Sequence, residues 1–231
     1  MRQFKIKILT NVYKYYIIVY GVLIVKFSDD DFNFREIINK LIIIKNKNIG
    51  ENLSGNIIND NSDSILCYCY IDETAGISFE YLSNYLFEKD NIVNNLRKDT
   101  FYKFRFETVI NDEFKMFSGN ITGIKEIDEK INITCKHYDL NKDTKELRRY
   151  EIFDPFRVKG FPDDVEIYLI KEGLNTEKLY VKLFKIDGQK TYGKLLNEPY
   201  QNFDVHLNEV IEIFIVKYKS GEIILLHQCG F

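Results

Sequence analysis

The rhythm of apolar and polar positions changes near residue 100. Tyr15 to Val25 is an uncharged apolar run of eleven residues rich in Tyr, Ile and Val. That composition suits a buried strand, expected over about Tyr15 to Phe27. Ser28-Asp29-Asp30-Asp31 then offers capping oxygens and negative charge at a helix start. Phe34, Ile37, Ile38 and Leu41 recur at the spacing of one helical face. Lys45 to Asp63 is rich in Asn and Gly and reads as loop or a ragged hairpin. Ile65 to Ile71 predicts a second strand. Ser78 caps an expected second helix with Phe79, Leu82 and Leu86 on one face, and Asp90 starts a short third with Ile92, Val93 and Leu96. The order β-α-β-α predicts helices layered over a sheet.

From Phe101 the period becomes two. Strands are expected over Phe101–Ile110, Phe114–Ile124, Ile131–Tyr138 and Leu147–Val158, with turns at Asn111-Asp112, Asp128-Glu129 and Asn141-Lys142-Asp143. Gly160-Phe161-Pro162-Asp163-Asp164 is the best boundary in the chain. Beyond it, strands are expected over Glu166–Lys171, Lys178–Ile186, Lys190–Leu196, Val210–Tyr218 and Glu222–His227. Asp187-Gly188 and Ser220-Gly221 are hairpin turns, because glycine supplies the positive φ that tight turns need. Phe101–Phe106 with Phe117–Ile121 parallels Leu179–Phe184 with Tyr192–Leu195, which raises a degenerate duplication as one option. The expected fold is therefore α+β. Residues 1–98 form a helix-over-sheet domain, 99–160 an antiparallel β module, and 161–231 a small barrel or meander.

Composition narrows the class. With aromatics at 15% and three prolines in 231 residues the chain is not intrinsically disordered, and a single alanine, Ala75, argues against a coiled coil or helical solenoid. A formal charge of −3 gives no overall positive field to attract nucleic acid or an anionic membrane. Four cysteines (Cys67, Cys69, Cys135, Cys229) are too sparse for a disulfide scaffold and suit a reducing cytoplasm, the expected compartment. Behind Lys5, Lys7 and Lys14 the apolar run resembles a signal-peptide core, so an uncleaved signal is the alternative to the buried strand. It continues into Lys26-Phe27-Ser28-Asp29, where a cleavage site would have small residues, and it falls short of the roughly 20 residues a spanning helix needs.

Tyr180-Val181-Lys182-Leu183, Gly193-Lys194-Leu195-Leu196-Asn197-Glu198-Pro199 and Leu207-Asn208-Glu209-Val210 match the pattern of a small β domain common in uncharacterised bacterial proteins. Glu177 to Leu225 resembles that domain. Tyr180 stands where the pattern usually has Trp, and Asn208-Glu209 replaces Gly-Asp. The resemblance implies a compact SH3-like barrel, and some relatives lie near toxin–immunity gene clusters. It carries no catalytic residue; Asn197 and Pro199 read as turn formers.

Nucleotide-binding glycine loops, Gly-x-Ser-x-Gly, His-Glu-x-x-His and Cys-x-x-Cys are absent from the sequence. Three pairs of soft ligands at spacing two stand out: Cys67/Cys69, Cys135/His137 and His227/Cys229. On a strand, residues i and i+2 share a face, so two such strands side by side would offer zinc a tetrahedron. The plainer alternative is small core thiols and ordinary histidines. Asp204 and His206 with Cys135 or Cys229 spell a nominal nucleophilic triad, which only geometry can establish. Lys142, Lys145, Arg148, Arg149, Arg157 and Lys159, interleaved with Tyr150, Phe153 and Phe156, could form a base-stacking face. Asp139, Asp143, Glu146, Glu151 and Asp154 cancel most of that charge, as on a solvated face. Asp29-Asp30-Asp31 is a capping feature before it is a metal site.

No catalytic, metal-ligating or cofactor-binding residue is assigned, and no cofactor is expected. The expected function is a non-enzymatic bacterial protein that binds another protein, of the immunity-inhibitor type, with neither nucleic acid nor membrane as partner. The alternative is an enzyme or small-molecule binder with its pocket between the N-terminal and β domains. A concave pocket lined by His206, His137 or Asp204 would favour the alternative; an exposed aromatic patch would favour the binding protein.

Overall fold

A computed structural model of the chain describes residues 18–19, 22–23, 25–29, 32–45, 62–89, 91–93, 102–119, 125–138 and 142–230. These residues are mostly β. A short hairpin, β1 (Ile18–Val19) with β2 (Val22–Leu23), and β3 (Val25–Lys26) stand where one continuous strand was expected. An open sheet follows from β4 (Leu41–Lys45), β5 (Ser64–Asp72), β6 (Gly76–Leu86), β7 (Asn91–Val93), β8 (Lys103–Arg105) and β9 (Glu113–Met116). Its order is β3-β9-β4-β5-β6-β7, with β8 also on β6.

The expected α+β fold with an N-terminal helix-over-sheet domain does not form. Between Phe34 and Leu41 there is one 3-10 turn, Phe34–Glu36, capped by the Asn33 side chain, and Leu41 already belongs to β4. The helix expected from Ser78 is β6, and Asn91–Val93 of the third is β7. Asp90, Leu96 and most of Lys45–Asp63 lie outside the described residues.

The physical reason is that this sheet is buried on both faces. Along β5, Ile65, Cys67, Cys69 and Ile71 enter one core with Phe27, Phe79 and Phe106, while Leu66, Tyr68 and Tyr70 enter the other. A strand covered on both sides has no polar face to alternate with its apolar one. Phe79 and Leu82 point into opposite cores by ordinary strand alternation, and a β-bulge opposite Leu66/Cys67 shifts the register so that Leu82 and Tyr85, three apart, share one core. That spacing imitates a helix.

Two later strand expectations are also overturned. Lys125–His137 is a helix, seated on the second core by Ile127 and the half-buried Ile131. Lys142–Leu147 is helical and Glu151–Phe156 a 3-10 turn, before the short strand β10 (Arg157–Val158). In the helix the buried positions are Ile127, Lys130 and Thr134. Two of those three are polar, so the helical period hides behind the accidental alternation of Ile131, Ile133 and Cys135. The proposed duplication fails too: Phe106–Val109 turns helical, whereas its counterpart continues as strand.

The C-terminal region is a closed barrel of five strands: β11 (Phe161–Ile170), β12 (Glu177–Asp187), β13 (Lys190–Leu195), β14 (Val210–Lys217) and β15 (Ile223–Gln228). Successive strands are antiparallel and β15 returns to β11 in parallel, with Tyr168 opposite Leu226. Five alternating strands leave the first and last pointing the same way, so closure must be parallel. Val165, Ile167 and Leu169 from β11, with Leu179, Val181 and Leu183 from β12, fill the interior at period two. At Gly193 an added Cβ would come within 2.8 Å of Ile213 Cδ1, and the glycine permits that close approach of β13 and β14. Among the described residues no helix is long and apolar enough to cross a membrane.

Candidate functional site

The pairs of soft ligands do not meet. Cys67 and Cys69 are buried in the first sheet core, Cys135 and His137 lie on the helix, and Cys229 is in the barrel core. On a helix, positions i and i+2 diverge by about 200° around the axis, so the strand geometry that zinc required is lost. Burial pushes the thiols of Cys67, Cys69 and Cys229 up, away from the thiolate form. Among the described residues no group of three potential metal ligands clusters.

The nominal triad dissolves in the same way. His206 Nδ1 lies 2.7 Å from Glu198 Oε1, and Asp204 holds Lys171 at 2.5 Å. Arg148 and Arg157 of the basic run turn inward, while Lys142, Lys145 and Arg149 stay exposed. Arg148 clamps Asp163 with two hydrogen bonds of 2.7 and 2.6 Å, and Phe153 sits in the barrel core, which withdraws both from the expected base-stacking face. Asp29 accepts the N–H of Lys26 in a turn rather than capping a helix.

A cleft of about 490 Å³ lies where the barrel meets the open sheet. It is lined by Phe34, Arg35, Asp154, Arg157 and Lys159, and none of His206, His137 or Asp204 reaches it. Its charged groups hold the junction together. Arg35 donates to both oxygens of Asp154 at 2.7 Å and through Nε to the carbonyl of Arg148, also at 2.7 Å. Arg157 donates to Asp154 at 2.9 Å and to the carbonyls of Pro162 and Leu147. Burial opposes ionisation of Asp154, yet the hydrogen bonds from Arg35 and Arg157 prevail and lower its carboxyl. Lys159 donates to the carbonyl of Ser28 at 2.8 Å. A ligand entering here would compete with bonds already made.

The more distinctive surface is at one end of the barrel, in the connection of residues 196–209. This loop is pinned along its length. Asn197 accepts the N–H of Tyr180 at 2.9 Å. Glu198 accepts the N–H of Leu207 at 2.7 Å and meets His206. Glu177, at the start of β12, accepts the N–H groups of Tyr200 and Gln201, both at 2.8 Å. Phe203 is buried in the barrel core and anchors the middle. Asp204 and Asn208 adopt positive φ of 59° and 72°, conformations held only where the surroundings fix them.

From this fixed frame apolar side chains point outward. Tyr200 is 98% exposed, Val210 55% and Leu207 45%. Tyr180 and Leu196 are exposed beside each other on β12 and the end of β13, joined by the Leu196 N–H to Tyr180 carbonyl bond of 2.9 Å. Between Leu195 and Val216 the sequence has four carboxylates (Glu198, Asp204, Glu209, Glu212) and no Lys or Arg. Asp204 is neutralised by Lys171, and Glu212 is paired with Lys190 at 3.1 Å. Glu198 is paired with His206 and Glu209 also acts on that ring, while the exposed Lys194 of β13 stands opposite Val210. The carboxylate of Glu198 raises the pKa of His206, and the His206 hydrogen bond lowers that of Glu198.

Read only as turn formers, Asn197 and Pro199 gave no sign of this. The stretch without a basic residue between Lys194 and Lys217 did not mark the loop either, because a longer one runs from Asn48 to Glu88. Comparison with protein-family models, curated proteins and solved structures finds no match to this chain.

Proposed function

We propose that this chain is a non-enzymatic protein-binding module whose binding face is the loop of residues 196–209 with the adjoining outer surface of β12–β14. The observation that carries the reading is Tyr200, 98% exposed on a loop whose backbone is fixed on both sides of it. Ordering a loop costs conformational entropy, normally recovered by packing its own side chains. Here the aromatic ring receives none of that packing. An exposed aromatic on a rigid frame binds a partner with little further ordering cost. The closed five-strand barrel supports reading the module as SH3-like. Glu198 and Glu209, in a loop with no Lys or Arg, favour a partner that is basic where it meets the loop. An immunity-type inhibitor is one member of this class, with a toxin as the partner.

The junction cleft, at about 490 Å³, favours the small-molecule alternative by its size, but its guanidinium groups are already engaged. Site-specific photocrosslinking separates the two. A photoreactive side chain at position 200 should capture one basic protein in the native host, and the same group at the exposed position 89 should not. Capture should disappear when Glu198 and Glu209 are both changed to Lys. Equal labelling from positions 200 and 89, or capture indifferent to the charge reversal, would overturn the reading.

A further inference from the structure

The open sheet holds a feature that partner binding does not use. Glu80, in the middle of β6, is completely buried, and neither carboxylate oxygen has a hydrogen-bond partner among the described residues. Its register partners are Tyr68 on β5 and Lys103 on β8. Above it lies the helix Lys125–His137. Tyr68 Oη is 3.0 Å from Cys135 Sγ, the rings of Tyr70 and Tyr138 lie 4.4 Å apart, and Lys103 donates to Tyr138 Oη at 2.9 Å. Glu80 therefore sits under the joint between helix and sheet. The groups that face it are Tyr68 and Tyr70 from β5, Lys103 from β8 and Lys130 from the helix, while Cys67 is a near neighbour on the other face of β5. Arg105, two residues along β8, is committed to Asp72 at 3.2 Å and Ser78 at 2.7 Å.

We propose that this joint is a proton-controlled latch, with the helix seated while Glu80 is neutral and released from the sheet when Glu80 ionises. A buried carboxylate without hydrogen bonds is strongly disfavoured, so ionisation must bring water or a cation to it. The strands cannot easily part, because β5 is buried over its whole length and paired on both edges. The helix can lift. Its seat rests on one fully buried large apolar side chain, Ile127, with Ile131 half-buried beside the polar Lys130 and Thr134. Burial raises the Glu80 carboxyl to about 7, against the pull of Lys103 and Lys130, which places the transition within reach of ordinary cellular pH.

Hydrogen exchange of the full chain between pH 5.5 and 8.5, corrected for the intrinsic base catalysis of exchange, tests the latch. Protection of amides 125–137 should fall by up to about tenfold per pH unit as pH rises towards 7 and level off above it, while the barrel strands β11–β15 stay constant. Glu80→Gln, which keeps the shape and removes the charge, should give a helix protected at every pH. Lys130→Met should move the transition to higher pH, because Glu80 loses a stabilising cation. A helix whose protection is flat with pH in the wild-type chain, or falls equally in Glu80→Gln, would overturn the proposal. If Glu80→Gln fails to fold, carbon NMR of the Glu80 carboxyl decides. A titration near the ordinary 4.5 would overturn it, and one near 7 that coincides with loss of helix protection would uphold it.

Discussion

Arg35 and Asp154, 119 residues apart in sequence, meet as a bidentate pair with both bonds at 2.7 Å. One comes from the 3-10 turn before the open sheet and the other from the 3-10 turn that leads into the barrel. Arg157 shares the same carboxylate at 2.9 Å, so a single Asp organises two guanidinium groups at the junction. Arg35→Met should cost about 1–3 kcal/mol, the range for charge-assisted bonds. The pH dependence has a definite sign. The Asp154 carboxyl is held below its ordinary 3.8, so its contribution is complete above that value and is lost as pH falls through the folded value. Acid unfolding of Arg35→Met, followed by circular dichroism, should begin at higher pH than in the wild type.

Gly76 and Gly160 make the second contact across the junction. The N–H of Ile77 donates to the carbonyl of Gly160 at 2.7 Å, and a Cβ on Gly76 would lie 2.2 Å from that oxygen. Gly76 also has φ of +67°. Gly173 has φ of +81° with nothing within 4 Å of an added Cβ. Gly173→Ala should therefore cost only the backbone term of about 1–2 kcal/mol, and Gly76→Ala distinctly more. Chemical denaturation of the two variants measures the difference directly.

Glu80 predicts a stability profile that runs opposite to that of Asp154. Its folded pKa of about 7 exceeds the ordinary 4.5, so the folded chain holds a proton that the unfolded chain releases. Stability is greatest below 4.5 and falls as pH rises through 7, by about 3 kcal/mol in total from this group. Glu80→Gln should flatten that limb and be the more stable protein at pH 8. Equal slopes for the two proteins in urea titrations would contradict the assignment.

Tyr200 and Phe203 lie three residues apart on the same loop and should behave oppositely. Tyr200→Ala removes a side chain that touches solvent, so stability should stay within about 0.5 kcal/mol, while partner affinity falls by tenfold or more. Phe203→Ala empties a core position and should cost about 3–5 kcal/mol. Thermal melts paired with a binding assay of the cross-linked partner distinguish the two effects.

Thiol reactivity checks the placement of the cysteines. Cys135 is exposed, whereas Cys67, Cys69 and Cys229 are buried. Titration with an aromatic disulfide should label one thiol rapidly in the folded chain and all four in denaturant. Rapid labelling of Cys67 or Cys69 would mean that the sheet core is open.

The barrel was legible in the sequence because its strands have one wet face and one dry face. Leu179, Val181 and Leu183 alternate with Lys178, Tyr180 and Lys182, and the Asp187-Gly188 and Ser220-Gly221 turns mark the hairpins. Local chemistry determines such a pattern. The open sheet offered no such contrast. Its second dry face is created by a helix more than forty residues further along, so Ser78, Glu80 and Ser83 are buried polar residues in a strand that reads as something else. The helix was hidden in turn, because Lys130 and Thr134 occupy its buried seam.

The sequence alone determined the β character of the last seventy residues, their turns, and the lack of any familiar catalytic motif. Only the tertiary structure decided that Cys135 and His137 stand on a helix, that Arg148 and Arg157 are internal clamps, and that Tyr200 projects from a fixed loop. Each of these depends on which distant segment covers a residue or leaves it bare. Periodicity records a residue's local geometry, while burial and pairing are set by contacts between segments far apart in the chain.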